Sequence, residues 1–138
     1  MSRHYLITGG AGFIGSNYVN RLLERRERVT VYDNLSRAGA KINLDWLRSS
    51  FGETSFELVR GDIKDDLRLA AAAREVDVIV HLAGQVAVTT SVMDPRQDFE
   101  DNALGTFNVL EAARQAKRNP AVLYSSTNKV YGGMEDAR

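Results

Sequence analysis

Short apolar runs alternate with longer amphipathic stretches along the 138 residues, and this alternation predicts the elements. "HYLIT" (4–8) reads as a strand ending in a glycine turn. Residues 11–26 place Phe13, Ile14, Tyr18, Leu22 and Leu23 at helical spacing, with Arg25 and Arg26 in a last turn whose dipole favours cations. A second β-branched run covers 28–34, and 43–52 predicts a short helix stopped by Gly52. Residues 55–62 read as a third strand, the alanine-rich 64–76 as a helix, and 77–84 as a fourth strand. After Pro95 a long helical pattern puts Phe99, Ala103, Phe107, Leu110 and Ala113 on one face, and 121–127 predicts a fifth strand.

Strands nearly continuous in Val, Ile and Leu, each followed by a helix, predict a parallel sheet covered on both faces. Right-handed crossovers make this an α/β, doubly wound Rossmann-type sheet with strand order 3-2-1-4-5. Ligands of such sheets bind beyond the carboxyl ends of the strands, at the switch point between strands 1 and 4. The chemically suggestive residues stand at those ends: the glycines of 9–15, Asp33, Asp62, Ala83, Gly84, and the hydroxyls of 125–127.

Composition narrows the partners. The length suits one domain, 1–138, without repeats or low-complexity segments. Eighteen basic and eighteen acidic side chains cancel, which removes the electrostatic case for nucleic acid or an anionic membrane. No apolar run has the length of a membrane span, and the first strand follows Met1 too closely for a signal peptide. Without cysteine there is no disulfide framework, and no His or carboxylate cluster has metal-ligand spacing, so no metal is expected. The expected setting is cytoplasmic.

"TGGAGFIGS" matches GxGxxG through Gly10, Gly12 and Gly15, and GxxGxxG through Gly9, Gly12 and Gly15. It follows a strand and opens a helix, the context in which absent side chains let the backbone approach a pyrophosphate at a helix N-terminus. Asp33 closes the second strand, where a carboxylate can accept both adenosine ribose hydroxyls and repel a 2′-phosphate. The expected cofactor is therefore NAD rather than NADP, although Arg37 lies close by in the sequence. Asp62 ends the third strand, as a ligand or as a helix cap. His81, inside the fourth strand, reads as a packed, hydrogen-bonded residue rather than a ligand.

The segments "TGGAGFIGS", "YDNLSRAGA", "GDI", "HLAGQ", "DNALGT" and "SSTNKVYG", in this order, resemble the extended short-chain dehydrogenase/reductases, specifically the NAD-dependent nucleotide-sugar epimerases and dehydratases. Within that family the chain is most similar to the CDP-paratose 2-epimerases, also called CDP-tyvelose epimerases. The resemblance implies that Gly9, Gly12, Phe13, Ile14 and Gly15 hold the pyrophosphate and that Asp33, Asn34 and Ser36 hold the adenosine ribose. It implies that Asp62 and Ile63 contact adenine. Leu82, Ala83, Gly84, Gln85, Ser125 and Ser126 are implied at the nicotinamide side, and Asn102, which matches the helix Asn of NxxGT, is implied as a cofactor-binding residue. Thr127 matches the catalytic Ser/Thr, with Ser91 and Asn128 on the sugar. Implied partners are a CDP- or UDP-linked sugar and a second copy in a homo-oligomer.

The family's Tyr-x-x-x-Lys pair has no match: none of the five tyrosines is followed four residues later by Lys. The chain is therefore expected to be the NAD-binding, N-terminal portion of a longer epimerase and to be inactive alone. Family dehydratases carry Asp-Glu after the catalytic Thr, where this chain has Asn128 and Lys129. An amide and an ammonium replace a general acid and base poorly, which favours an epimerase. The alternatives are a UDP-sugar 4-epimerase, a dehydratase of the same fold, or a non-catalytic NAD-binding module.

Overall fold

The computed structural model describes residues 1–132. Five parallel strands form one sheet: β1 (His4–Thr8), β2 (Arg28–Asp33), β3 (Glu57–Arg60), β4 (Val78–His81) and β5 (Ala121–Tyr124). Their order is β3-β2-β1-β4-β5, the doubly wound arrangement. Tyr5 pairs with Val29 on one side and Val78 on the other, so β1 is central and its carboxyl end lies at the switch point.

Strand alternation sorts the core into two layers. Ile7, Val31 and Val80 face helices α1 (Phe13–Glu24) and α2 (Ala40–Phe51), meeting Val19, Leu22, Leu44 and Leu47. Leu6, Tyr32 and Ile79 face the opposite layer with Leu69, Ala73, Val109, Ala112 and Ala113. That second layer is built by α3 (Asp66–Ala73) and α6 (Gly105–Gln115). Between β4 and α6 run the short helices α4 (Val88–Met93) and α5 (Pro95–Phe99) and a π-turn, Glu100–Leu104; a 3₁₀ turn, Asn128–Tyr131, follows β5.

Helix ends follow side-chain chemistry. Gly52 stops α2 with φ 100° and donates its N–H to the Arg48 carbonyl. Asp65 caps α3 by accepting the Arg68 N–H, and Asp94 caps α5 by accepting that of Gln97, with Pro95 opening the helix. Arg25 and Arg26 stand just beyond α1, Arg26 in the left-handed region at φ 59°.

Not all the large apolar residues at helical spacing pack on the core. Phe13, Ile14 and Tyr18 are exposed, and α1 packs through Gly15, Ser16, Val19, Leu22 and Leu23. Of the five residues placed on one face after Pro95, Ala113 alone is buried. Phe99, Phe107 and Leu110 face outward, whereas Gly105, Asn108, Val109, Ala112 and Ala113 are buried. Gly105, Asn108, Val109, Ala112 and Ala113 recur at helical spacing, and the small side chains among them let α6 approach the alanine-rich α3. β1 has the expected bounds, and the other four strands are shorter than the apolar runs predict, their ends turning into loops.

Candidate functional site

The carboxyl ends of the strands open into one cleft of about 910 Å³. Its floor is the loop between β1 and α1. Gly9 has φ 70°, and a Cβ there would lie 2.8 Å from the Ala83 nitrogen. A Cβ on Gly15 would press into the Gly9 carbonyl oxygen, so α1 starts directly against the loop only because both positions lack side chains. Gly12 is the N-cap residue of α1, with no side-chain cap and no acidic residue in the first turn. Its partly positive end is therefore left to an external anion.

Asp33, at the end of β2, holds this floor in shape. Its Oδ2 accepts the Ala11 N–H at 3.0 Å and its Oδ1 the Leu35 N–H at 2.8 Å. Asn43 of α2 donates Nδ2–H to the Ala11 carbonyl at 2.8 Å, so the Ala11 peptide is gripped from both ends. Leu35 is held at φ 59°, a costly conformation for a bulky residue that its N–H bond to Asp33 and its packing on the core maintain. Each carboxylate oxygen keeps a further acceptor site for a diol.

Beyond Asp33, Asn34 donates Nδ2–H to Asp62 at 3.1 Å, and Ser36 donates its N–H to the Asn34 side chain. Asp62 also accepts the Lys64 N–H, so it is not the cap of α3. Tyr32 donates its hydroxyl to the Asp62 carbonyl at 2.8 Å, and burial pushes its pKa up to about 12. Ile63 is placed by α6. Gly105 makes room for its side chain, and Asn108 donates Nδ2–H to its carbonyl at 2.9 Å. Lys64 bridges this bank to the π-turn at 3.1 Å from Asp101, a bond that raises the lysine pKa.

At the opposite end, Leu82, Ala83, Gly84 and Gln85 continue from β4. Asn102, in the π-turn, accepts the Gln85 N–H at 2.9 Å and donates to the Gln85 carbonyl at 3.2 Å. Its amide thus fixes the loop as well as lining the cleft. Below, buried His81 joins three elements. Nδ1 lies 2.6 Å from Thr8 Oγ1 and Nε2 3.0 Å from Thr106 Oγ1. The Thr106 hydroxyl is donated to the Asn102 carbonyl, so Nε2 carries the ring proton and Thr8 donates to Nδ1. This neutral tautomer satisfies every partner, and burial lowers the His81 pKa to about 4. The ring stacks on Tyr124 of β5 at 5.8 Å, while the Ser125 N–H donates to the His81 carbonyl.

Every residue expected at the cofactor, and Thr127, lines this cleft. Ser91 does not: its hydroxyl binds Asp98 at 2.6 Å, and Thr90 lines the cleft instead. The Asn128 and Lys129 side chains lie outside the described residues. Sequence reading missed Asn43, Asn108, Thr8 and Thr106, whose partners are distant in sequence. Among the described residues no group of His, Cys, Asp or Glu could hold a metal, and no helix is long and apolar enough to cross a membrane. An uncapped helix start, a diol-accepting carboxylate and glycines without room for Cβ atoms fit a dinucleotide.

Residues 6–138 match the family model described as GDP-mannose 4,6 dehydratase. Over 132 residues the chain is 52% identical to a CDP-paratose 2-epimerase of Salmonella typhi, covering 94% of this chain and 38% of that protein. It is 43% identical over 128 residues to a UDP-glucose 4-epimerase of Mycolicibacterium smegmatis, covering 92% and 40%. A crystal structure of UDP-glucose-4-epimerase from Stenotrophomonas maltophila, with bound NAD and formylated UDP-arabinopyranose, superposes with a TM-score of 0.86 at 30% identity. That match covers 96% of this chain and 39% of the other. The chain spans about two-fifths of the length of the relatives it matches.

Proposed function

This chain belongs to the GDP-mannose 4,6-dehydratase family, and from that premise we propose that residues 1–138 form the NAD-binding domain of a nucleotide-sugar epimerase acting on a CDP-linked sugar. The observation that carries the reading is the Asp33 carboxylate, fixed at the cleft by two backbone N–H groups beside the uncapped start of α1. The identity of 52% with a CDP-paratose 2-epimerase supports the CDP-linked substrate. Asn128 and Lys129 after Thr127 support epimerisation over dehydration.

In this reading Gly9, Gly12, Phe13, Ile14 and Gly15 carry the pyrophosphate, Asp33, Asn34 and Ser36 the adenosine ribose, and Asp62 and Ile63 the adenine. Leu82 to Gln85, Asn102, Ser125 and Ser126 shape the nicotinamide end. When bound, NAD supplies reversible hydride acceptance, so that a sugar carbon passes through a ketone and regains hydrogen on its other face without net redox. Thr127 hydrogen-bonds and orients the reacting oxygen. The base that removes the hydroxyl proton is assigned to residues outside 1–138, because no tyrosine here has Lys four positions on. Homo-oligomerisation and a cytoplasmic location complete the proposal; a cysteine-free chain suits a reducing compartment.

The test is conversion of a CDP-linked dideoxyhexose by the longer protein, followed by NMR at sugar carbon 2. Inversion with no accumulation of NADH is expected. Loss of water from the sugar would make the protein a dehydratase, and NAD binding without turnover would make it a non-catalytic module.

A further inference from the structure

Three carboxylates line the cleft, Asp33, Asp62 and Asp101, and among the described residues a single cation, Arg37. Lys64 stands 3.1 Å from Asp101 and 3.9 Å from Asp62, and Asp33 is held by two backbone N–H groups. Arg37 has no ion pair among the described residues. Its Nη2 instead donates to the Gly84 carbonyl across the cleft at 3.4 Å, a long bond to a neutral acceptor. The Arg37 backbone is fixed at the start of α2, where its carbonyl accepts the Ala40 N–H. The guanidinium thus reaches the segment after β4, whose Ala83 nitrogen lies where a Cβ on Gly9 would press. Among the described residues it makes no hydrogen bond or ion pair with Asp33.

We propose that Arg37 is an anion-binding residue of the cleft, and that cofactor entry exchanges its Gly84 carbonyl for the dinucleotide pyrophosphate. The proposal rests on the NAD reading above and adds to it the group that supplies countercharge. A pyrophosphate entering among three carboxylates meets the partial charge of one helix end and needs a full charge. The Gly84 carbonyl is a neutral acceptor at long distance, whereas a phosphate offers full opposite charge and bidentate geometry to the guanidinium, so the exchange runs toward the phosphate. Arg37 is exposed, so the contribution is screened by salt.

Calorimetric titrations of the protein with adenosine, ADP-ribose, NAD and NADP test this in wild type, Arg37→Met and Arg37→Lys. Arg37→Met is expected to weaken ADP-ribose and NAD by roughly 10- to 100-fold and to flatten their salt dependence, with adenosine unchanged as the control for folding. Arg37→Lys should recover part of the loss. Unaltered NAD and ADP-ribose affinities in Arg37→Met would overturn the assignment, and so would a loss confined to NADP, which would make Arg37 a 2′-phosphate anchor. Wild-type protein that binds none of the four ligands would overturn the cofactor reading, and the Arg37 assignment with it.

Discussion

Asp33 and Ala11 are joined across the glycine loop: the Asp33 Oδ2 accepts the Ala11 N–H at 3.0 Å, while Asn43 holds the Ala11 carbonyl at 2.8 Å. The carboxylate placed to receive a ribose diol therefore also fixes the backbone that meets a pyrophosphate. Asn43→Ala separates the two roles, because it frees the loop and leaves the carboxylate intact. It should cost about 1 kcal/mol of stability and weaken NAD several-fold, with the preference over NADP retained. Denaturant titration and calorimetry check both parts. A changed cofactor preference would show that Asn43 acts on more than the loop.

Gly105 and Ile63 form a second such pair. A Cβ on Gly105 would run into the Ile63 side chain, so Gly105→Ala should push Ile63 out of place and cost about 1–3 kcal/mol. Ile63→Val removes the nearer of the two colliding carbons, Cδ1, and keeps Cγ1. The double variant should therefore recover part of the clash and be more stable than the sum of the single effects requires. Urea unfolding of the four proteins gives the coupling. Additive losses would mean that the backbone, not Ile63, absorbs the strain.

His81 makes stability depend on pH. Its folded pKa of about 4 lies below the ordinary value of 6.5, so between these values the unfolded chain binds more protons. Stability from neutral His81 is thus complete above pH 6.5 and is lost as pH falls toward 4, by about 3 kcal/mol at most. His4, lowered by burial and then by Arg28, adds a loss of the same sign. His81→Asn should be less stable at pH 7, because Thr106 loses its donor, and should show a shallower decline on acidification. Equal slopes in the two proteins would place the pH dependence elsewhere.

Sheet order and the chemistry-bearing strand ends were legible in the sequence because both depend on local patterns: β-branched runs, and glycine or aspartate where they stop. The face of α6 was not. Large apolar residues such as Phe107 and Leu110 signal burial, but they face outward and the helix packs through Gly105, Ala112 and Ala113, whose small side chains give a weaker signal. The residues that hold the site together were equally hidden. Asn108 grips a carbonyl 45 positions away and Thr8 an imidazole 73 positions away, separations that no periodicity reports. His81, read as a packed strand residue, is one.

Thr127 carries the catalytic part of the proposal. In the longer protein Thr127→Val keeps the β-branched shape and removes the hydroxyl. Epimerisation should fall roughly 10- to 1,000-fold while NAD binding changes little. Steady-state turnover and cofactor titration on the same preparation separate the two. Unchanged turnover would transfer the role to Ser126 or to water.

Paired titrations of NAD and NADP into wild type and Asp33→Ala test most directly the proposed role of Asp33 in selecting NAD. Wild type should bind NAD at least 10-fold more tightly than NADP, because the carboxylate accepts the ribose diol and repels a 2′-phosphate. Asp33→Ala should lose NAD affinity and most of the discrimination together. Equal affinities of the wild type for the two cofactors would contradict the account.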